Sequence, residues 1–310
     1  MEKLKLPMQR IIIFSDNNGW HEERLIKAFA THRITPTLVS LKDCRIGFGS
    51  SRLGLEIPGF SHDLPDAVLV RAVPGGSFEE VTFRLDVLHA LKDLGVMVYN
   101  DARIIEQTVD KGMASFLLAR ADIAAPPVWV CESHKEALEI VKRETLAGRK
   151  LVLKPLFGNC GRGLLLLDSA QGLPPAEGVG GIYYLQSYIA QKNQSGRDWR
   201  VLVVGGRAVA AMERVSEHWI TNRARGGKCL PAVLTDGLRR LAEDATRATN
   251  ACYAGVDIIT DAEQRYLVLE VNSVPAWRGL QSVCPDDIAK LLVDDFLQQL
   301  TSYQLDSVAG

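Results

Sequence analysis

The sequence predicts an α/β unit carrying a small parallel sheet, followed by an α+β unit of strand hairpins and helices. Three observations lead there. Short apolar runs alternate with segments of helical spacing over the first third of the chain. The remainder carries strands in adjacent pairs joined by glycine or polar turns. The length of 310 residues is enough for two or three packed units.

In the first unit RIIIFSD (10–16), TPTLVSL (35–41), DAVLVRAV (66–73) and VMVYN (96–100) are short apolar strands. HEERLIKAFATH (21–32) separates the first two as a helix, with Leu25, Ile26 and Phe29 at helical spacing. VTFRLDVLHALKDLG (81–95) is a second helix, closed by Gly95. Strands alternating with helices form a parallel sheet, and the unit is expected to end near residue 105.

Residues 110–121, DKGMASFLLARA, read as a helix with Met113, Phe116, Leu117 and Ala121 on one side. PPVWVCE is a strand. SHKEALEIVKRETLAG is a helix with Ser133 as its cap, Glu136 three residues on and Gly148 at its close. KLVLKP (150–155) and GLLLLD (163–168) flank a glycine-rich turn. IYYLQSYIA, DWRVLVVGGRAVAAMERV and AGVDIIT with YLVLEVN are further strands, and VVGGRAV has the Gly-Gly of a tight hairpin. TDGLRRLAEDATRAT is a helix capped at Thr235 or Asp236, and PDDIAKLLVDDFLQQL closes the chain as an amphipathic helix.

Composition narrows the function classes. The formal net charge of -1 gives no global basic field of the kind that binds nucleic acid. The N-terminal MEKLKLPMQR lacks the apolar run of a signal peptide, and no stretch approaches the ~20 apolar residues of a membrane span. The six cysteines are scattered without a CxxC pair, which points to free thiols in a reducing cytoplasm.

Three places carry chemistry. In KPLFGNCGRGLLLL, Gly158, Gly161 and Gly163 lie between two apolar strands with Lys154 beside them. Loop glycines let backbone N–H groups approach phosphate oxygens, and a lysine ending an apolar strand needs an anionic partner. The spacing is neither a Walker loop nor a GxGxxG fingerprint, so the loop is a phosphate site or a simple turn. In SGRDWRVLVVGGRAVAAMERV, Asp198 and Arg200 share a strand face and Arg214 ends the hairpin mate. Each arginine suits a bidentate phosphate or carboxylate contact, or an edge salt bridge. TNRARGGK (221–228) adds Asn222, Arg223, Arg225 and Lys228, as a solvated loop or an anion-binding one. Finally, alternation puts Val268, Glu270 and Asn272 on one strand face, and a turn of about four residues within the short DAEQR link would set Asp257 roughly opposite Glu270. Two carboxylates so placed repel unless a cation lies between them, and hard oxygen ligands favour Mg2+ or Mn2+. The alternative is an ordinary exposed strand face with two acids.

Taken together, Asp110-Lys111, Lys154-Pro155, GNCGRG, QSYI (186–189), DWRVLVVGGRAVAAMER, TNRARGG, Asp257 and Glu270-Val271-Asn272 resemble, in order, the motifs of ATP-grasp ligases. The likeness is to the α-L-glutamate ligases related to the enzyme that modifies a ribosomal protein's C-terminus. The N-terminal FRLDVLHALKDLGVMVYND is similar to ligases that glutamylate one-carbon-carrier cofactors such as tetrahydromethanopterin. The resemblance implies a pre-ATP-grasp domain over 1–105, a small lobe with the glycine loop over 106–185 and a large lobe with the metal site over 186–310. It implies ATP phosphate contacts from Lys111 and Lys154, with Gly158, Cys160, Gly161, Arg162 and Gly163 closing over them. Gln186, Ser187, Tyr188 and Ile189 would meet the adenine, with Asp198 also on the nucleotide side. Arg200 and Arg214 would stabilise phosphate and acyl phosphate, with Asn222, Arg223 and Arg225 facing substrate. Asp257, Glu270 and Asn272 would hold two Mg2+ or Mn2+ ions. The implied partners are L-glutamate and a small carboxylate-bearing acceptor, with no nucleic acid or membrane; a homo-oligomer is left open. Two departures stand out: Ser187 replaces a frequently acidic residue, and Ala276-Trp277 replaces a small-residue ending, a change that could reshape the acceptor pocket. Three rivals follow: another amine donor, a protein or peptide acceptor, and a nucleotide-binding regulator without catalysis. The intact Asp257, Glu270, Asn272 and Arg200 argue against the last.

Overall fold

The computed structural model describes residues 9–48, 54–60, 63–158, 161–191 and 196–309. Packing divides the chain into two units. One comprises 1–105, 276–281 and 285–310, and the other 106–275 and 282–284.

The first unit is a four-stranded parallel sheet in the order β2-β1-β5-β6. β1 (Ile11–Phe14) is buried on both faces, as four consecutive apolar residues require. α1 (Trp20–Thr31) returns the chain to β2 (Thr37–Val39). A two-residue ribbon, β3 (Arg45–Ile46) with β4 (Leu55–Glu56), precedes β5 (Ala67–Val70) on the other side of β1. α2 (Phe78–Asp93) leads to β6 (Met97–Tyr99) at the edge. Its start is set by a capping box, in which Ser77 Oγ accepts from Glu80 N and the Glu80 carboxylate accepts from Ser77 N. α3 (Ala102–Val109) follows.

The second unit holds two antiparallel sheets. α4 (Lys111–Arg120) begins at Asp110, whose Oδ1 accepts from Gly112 N and Met113 N. Its buried residues are Ala114, Leu117 and Leu118, while Met113 (41% exposed) and Phe116 (57%) face outward. The apolar side expected from spacing is therefore rotated. Next come β7 (Val128–Cys131), α5 (His134–Leu146), β8 (Leu151–Lys154), β9 (Leu165–Leu167) and β10 (Tyr183–Ser187), with sheet order β7-β10-β8-β9. α5 lays Ala137, Ile140 and Val141 on Leu151, Leu153, Tyr183 and Leu185. The glycine-rich segment is the β8–β9 hairpin loop.

The other sheet runs β13-β12-β11-β14-β15. β11 (Gly196–Val204) and β12 (Arg207–Ser216) turn at Gly205-Gly206, both with positive φ as this tight turn demands. β13 (Lys228–Pro231) forms one edge, and α6 (Asp236–Ala248), capped by Thr235, covers the sheet with Leu238, Ala242 and Ala245. β14 (Tyr253–Thr260) and β15 (Tyr266–Asn272) form the acidic hairpin.

The end of the chain differs from the expected boundary. Trp277, α7 (Arg278–Gln281) and α8 (Ile288–Ala309) belong to the first unit rather than to a lobe over 186–310. The reason is apolar burial: Ile288, Ala289, Leu292, Val293, Phe296 and Leu300 of α8 are all buried. Phe296 meets Phe29 of α1 and Tyr99 of β6 edge-on.

Candidate active site

The site lies within the second unit and is built from the ends of β8, β10, β11, β12, β14 and β15. Leu151–Leu153 are buried, which anchors Lys154 at the strand end where the chain leaves for the glycine loop. Burial pulls the Lys154 pKa down, and Glu270 pulls in the opposite direction. Lys111, first residue of α4, donates from Nζ to Gly158 O (3.0 Å) and Leu156 O (3.3 Å), so it holds the entry of the loop. Gly161 and Gly163 have φ of 67° and 70°. A Cβ on Gly161 would stand 2.5 Å from Asn222 Oδ1, and one on Gly163 2.7 Å from Pro155 Cγ.

The arginines are ordered by carboxylates. Arg214 donates to Asp198 through Nε (2.7 Å) and Nη2 (2.6 Å), and its Nη2 also reaches Asp257 Oδ2 at 2.8 Å. Arg200 takes Asp257 in a fork of 2.7 and 2.8 Å. It lies 3.9 Å from Glu270. Asp257 resists protonation even though it is buried, because two guanidiniums flank it. Glu270 is pushed the other way, first by burial and then by the Asp257 charge. The two carboxylates are directly paired across the hairpin, but the turn spans five residues (261–265) rather than about four, and one extra residue in β15 restores the pairing.

A bulge between Asp257 and Ile258 corrects the rest of that face. Val268 pairs with Ile258 and is fully buried, on the opposite side from Glu270, while Leu269 and Glu270 both line the cleft. The charge balance at Asp257 also differs from the expected one. Arg200 and Arg214 occupy three of the roughly four acceptor positions of Asp257, so its charge is already answered. Among the described residues no three or more of His, Cys, Asp and Glu gather as a metal set. The oxygen donors at hand are the remaining Asp257 position, Glu270 and Asn272, whose Oδ1 accepts from Val274 N at 3.2 Å.

Lys111, Lys154, Gly158, Gly161, Arg162, Gln186, Ser187, Tyr188, Ile189, Asp198, Arg214, Asn222, Asp257 and Glu270 line one cleft. Arg200 stands behind Asp257, and Arg225 donates to Gly161 O at 3.3 Å, bringing the TNRARGG loop to the glycine loop. Gly163 and Asn272 are not in the lining. Cys160 lies outside the described residues. The expected adenine strand ends at Ser187, whose N–H goes to Pro127 O, and Tyr188 N–H goes to Lys150 O. Sequence reasoning missed Trp219, edge-on to Tyr188 in the lining, and Thr221, which donates to Asp198 Oδ2 at 2.6 Å. Asp198 reads here as the holder of Arg214. Adjacency to Asn222 was the available signal for Thr221.

A glycine hairpin beside two lysines, facing an arginine–carboxylate network on a second antiparallel sheet, defines an ATP-grasp ligase of the ADP-forming carboxylate–amine class. The chain belongs to the RimK-like ATP-grasp domain family, which matches residues 108–296. It is 30% identical over 300 residues to the tetrahydromethanopterin:alpha-L-glutamate ligase of Methanococcus maripaludis, covering 95% of this chain and all of that one (100%). It is 29% identical over 213 residues to the alpha-aminoadipate–LysW ligase LysX of Saccharolobus solfataricus, covering 66% of this chain and 75% of that protein. Its fold matches the ATP-grasp ligase PsnB complexed with minimal precursor, Mg and ADP, with a TM-score of 0.72 at 18% identity, covering 97% of this chain and 100% of that one.

Proposed function

We propose that the chain uses ATP to join L-glutamate to a carboxylate of a small-molecule cofactor, through an acyl phosphate. The observation that carries this reading is one cleft that joins Lys111 and Lys154 at the glycine hairpin to Arg214, Asp257 and Glu270 on the facing sheet. The similarity to tetrahydromethanopterin:alpha-L-glutamate ligase supports glutamate and a small acceptor.

In the first step an acceptor carboxylate oxygen attacks the γ-phosphorus of ATP, and ADP leaves. The glutamate amine then attacks the acyl carbon; phosphate leaves, a proton is lost and an amide forms. Activation is needed because a carboxylate is a poor electrophile. Lys154 and Lys111 bind the phosphates, whose charge favours the protonated form of Lys154 against its burial. Arg200 and Arg214, fixed before substrate arrives, stabilise the transferring phosphoryl without reorganising. The glycine loop covers the phosphates and excludes water that would hydrolyse the acyl phosphate. Glu270, raised in pKa by burial beside Asp257, suits a divalent cation together with Asn272 and the open position of Asp257. Mg2+ or Mn2+ there supplies charge neutralisation of phosphate oxygens. We take the number of ions as two, and the setting as cytoplasmic; no helix of the described residues is long and apolar enough to cross a membrane.

ADP release with a panel of carboxylate cofactors, with and without glutamate, tests the reading, and product mass spectrometry identifies the amide. ATP binding without any acceptor-dependent ADP sinks it. The similarity to LysX favours a second reading, a carrier protein as one partner, which the same mass measurement separates.

A further inference from the structure

The first unit carries a second cleft, at the carboxyl ends of β1 and β5. In its sheet order β2-β1-β5-β6, the chain steps one way from β1 to β2 and the other way from β5 to β6. Such a reversal leaves a crevice beyond the strand ends, where open α/β sheets take their ligands. Here the crevice is a cavity of ≈ 430 Å³. Its floor is fixed by Arg71 N and Ala72 N, which both donate to Phe14 O. Its walls include Asn17, Asn18, Trp20, His21 and Arg71.

The charges are sorted in favour of an anion. The Arg71 guanidinium lies over the ring of Trp277, 5.1 Å from its centroid, and Trp277 is 1% exposed. That stacking restrains a long side chain in one place before any ligand arrives. Arg278 sits over Trp20 at 5.8 Å, adding a second cation. His21 wedges edge-on against Trp277 at 4.5 Å and accepts from Trp277 N through Nε2 (3.2 Å), which leaves Nδ1 as the site for its proton. Burial and the nearby Arg71 keep the ring neutral, with its pKa lowered to about 4. The one carboxylate among the described lining residues, Glu22, is committed to Ser15 Oγ (2.8 Å) and Gly19 N (3.1 Å). Neighbouring Asp16 accepts from Ser40 and pairs with Lys42. Beneath the guanidinium, the buried indole N–H of Trp277 finds no acceptor among the described residues.

We propose that this cleft is an oxyanion-binding subsite, in which Arg71, stacked on Trp277 beside His21, binds a carboxylate or phosphate group carried by the acceptor. A guanidinium has five N–H donors in a fork, so Arg71 can keep a protein partner and still meet a bidentate oxyanion. The site gives Ala276-Trp277 a role: the tryptophan is the platform that aims Arg71 rather than a wall of the pocket. Only the identification of the ligand as the acceptor rests on the ligase reading.

The test is a titration of the full chain with glutarate and, separately, inorganic phosphate, in the presence of Mg·ADP so that the nucleotide site is filled. His21 ring resonances, assigned by their loss in His21→Gln, are followed by NMR. A saturable shift with either probe is expected, abolished in Arg71→Met and largely kept in Arg71→Lys. With any acceptor that turns over, Arg71→Met should raise its KM at least tenfold and leave the KM for ATP unchanged. No saturable shift by either probe in the wild-type chain overturns the subsite, whatever the variants do. An equal shift in Arg71→Met also overturns it, and an unchanged acceptor KM overturns the assignment of its ligand to the acceptor. Failure to form ADP with every acceptor would sink the ligase reading and leave the titration result standing.

Discussion

Arg214 and Asp198 form a two-bond ion pair in which each side chain is only 4% exposed. Thr221 closes the remaining side of the carboxylate. Removing one member of a buried pair strands the other charge, which costs about 3–5 kcal/mol. Asp198→Asn keeps the shape but presents an amide N–H to cationic donors. We expect it to lose stability of that order in urea unfolding and to lose most ATP-dependent turnover. A midpoint shift worth under about 1 kcal/mol would show that Asp198 does not hold Arg214.

Glu270 makes the opposite case. Its pKa is raised by burial and by Asp257, and its side chain keeps 36% of its surface exposed, so the fold loses little without it. Glu270→Ala should therefore melt no lower than the wild type while Mg-dependent ADP formation falls at least a hundredfold. Scanning calorimetry and a coupled ADP assay read the two effects separately. Ordinary turnover by the variant would defeat the metal assignment.

Two glycines are fixed for different reasons. Gly161 has φ of 67° and faces Asn222 Oδ1, so Gly161→Ala meets both left-handed strain of about 1–2 kcal/mol and a side-chain clash. A Cβ on Gly227 would stand 1.9 Å from the backbone oxygen of Thr221, which cannot yield without moving Thr221 and Asn222. Gly161→Ala should raise the KM for ATP with a small loss of stability. Gly227→Ala should cost more in stability, because it loosens the Thr221 bond to Asp198. Thermal melts and ATP kinetics of the two variants give that order, and the reverse order would refute it.

The strand alternation and hairpin turns were legible because they depend on local chemistry. Ser133, Thr235 and Gly205-Gly206 sit where caps and a tight turn need them. Asp257 does face Glu270, but through a five-residue turn and a compensating bulge rather than the shorter turn expected. What was hidden depended on distant partners. The bulge that turned Val268 into the core inserts one residue, and nothing local marks Leu269 as that residue. Met113 and Phe116 are apolar yet exposed, so composition misplaced the buried side of α4. The commitment of Asp257 to Arg200 and Arg214 links three strands and cannot be read from any one of them. Trp277 has its place because His21 and Arg71, more than two hundred residues earlier in the chain, pack on it.

His21 provides a pH signature for the first unit. Its pKa falls from 6.5 to about 4 on folding, through burial and then Arg71. The unfolded chain therefore binds more protons at this residue between those two values. Stability must rise with pH across about pH 4 to 6.5, and the His21 contribution is complete above that window. The full shift would be worth about 3 kcal/mol, and the partial exposure of the ring reduces the expected effect to about 1–2 kcal/mol. Carboxylates titrate in the same range, so the wild type alone cannot isolate the imidazole. His21→Gln removes the titration and keeps an acceptor oxygen for Trp277 N. Urea midpoints measured from about pH 4 to about pH 7 should give the wild type a steeper rise than the variant, with the difference levelling above about pH 6.5. Parallel curves would mean that His21 titrates in the folded chain as it does in the unfolded one, and that burial and Arg71 do not hold it neutral.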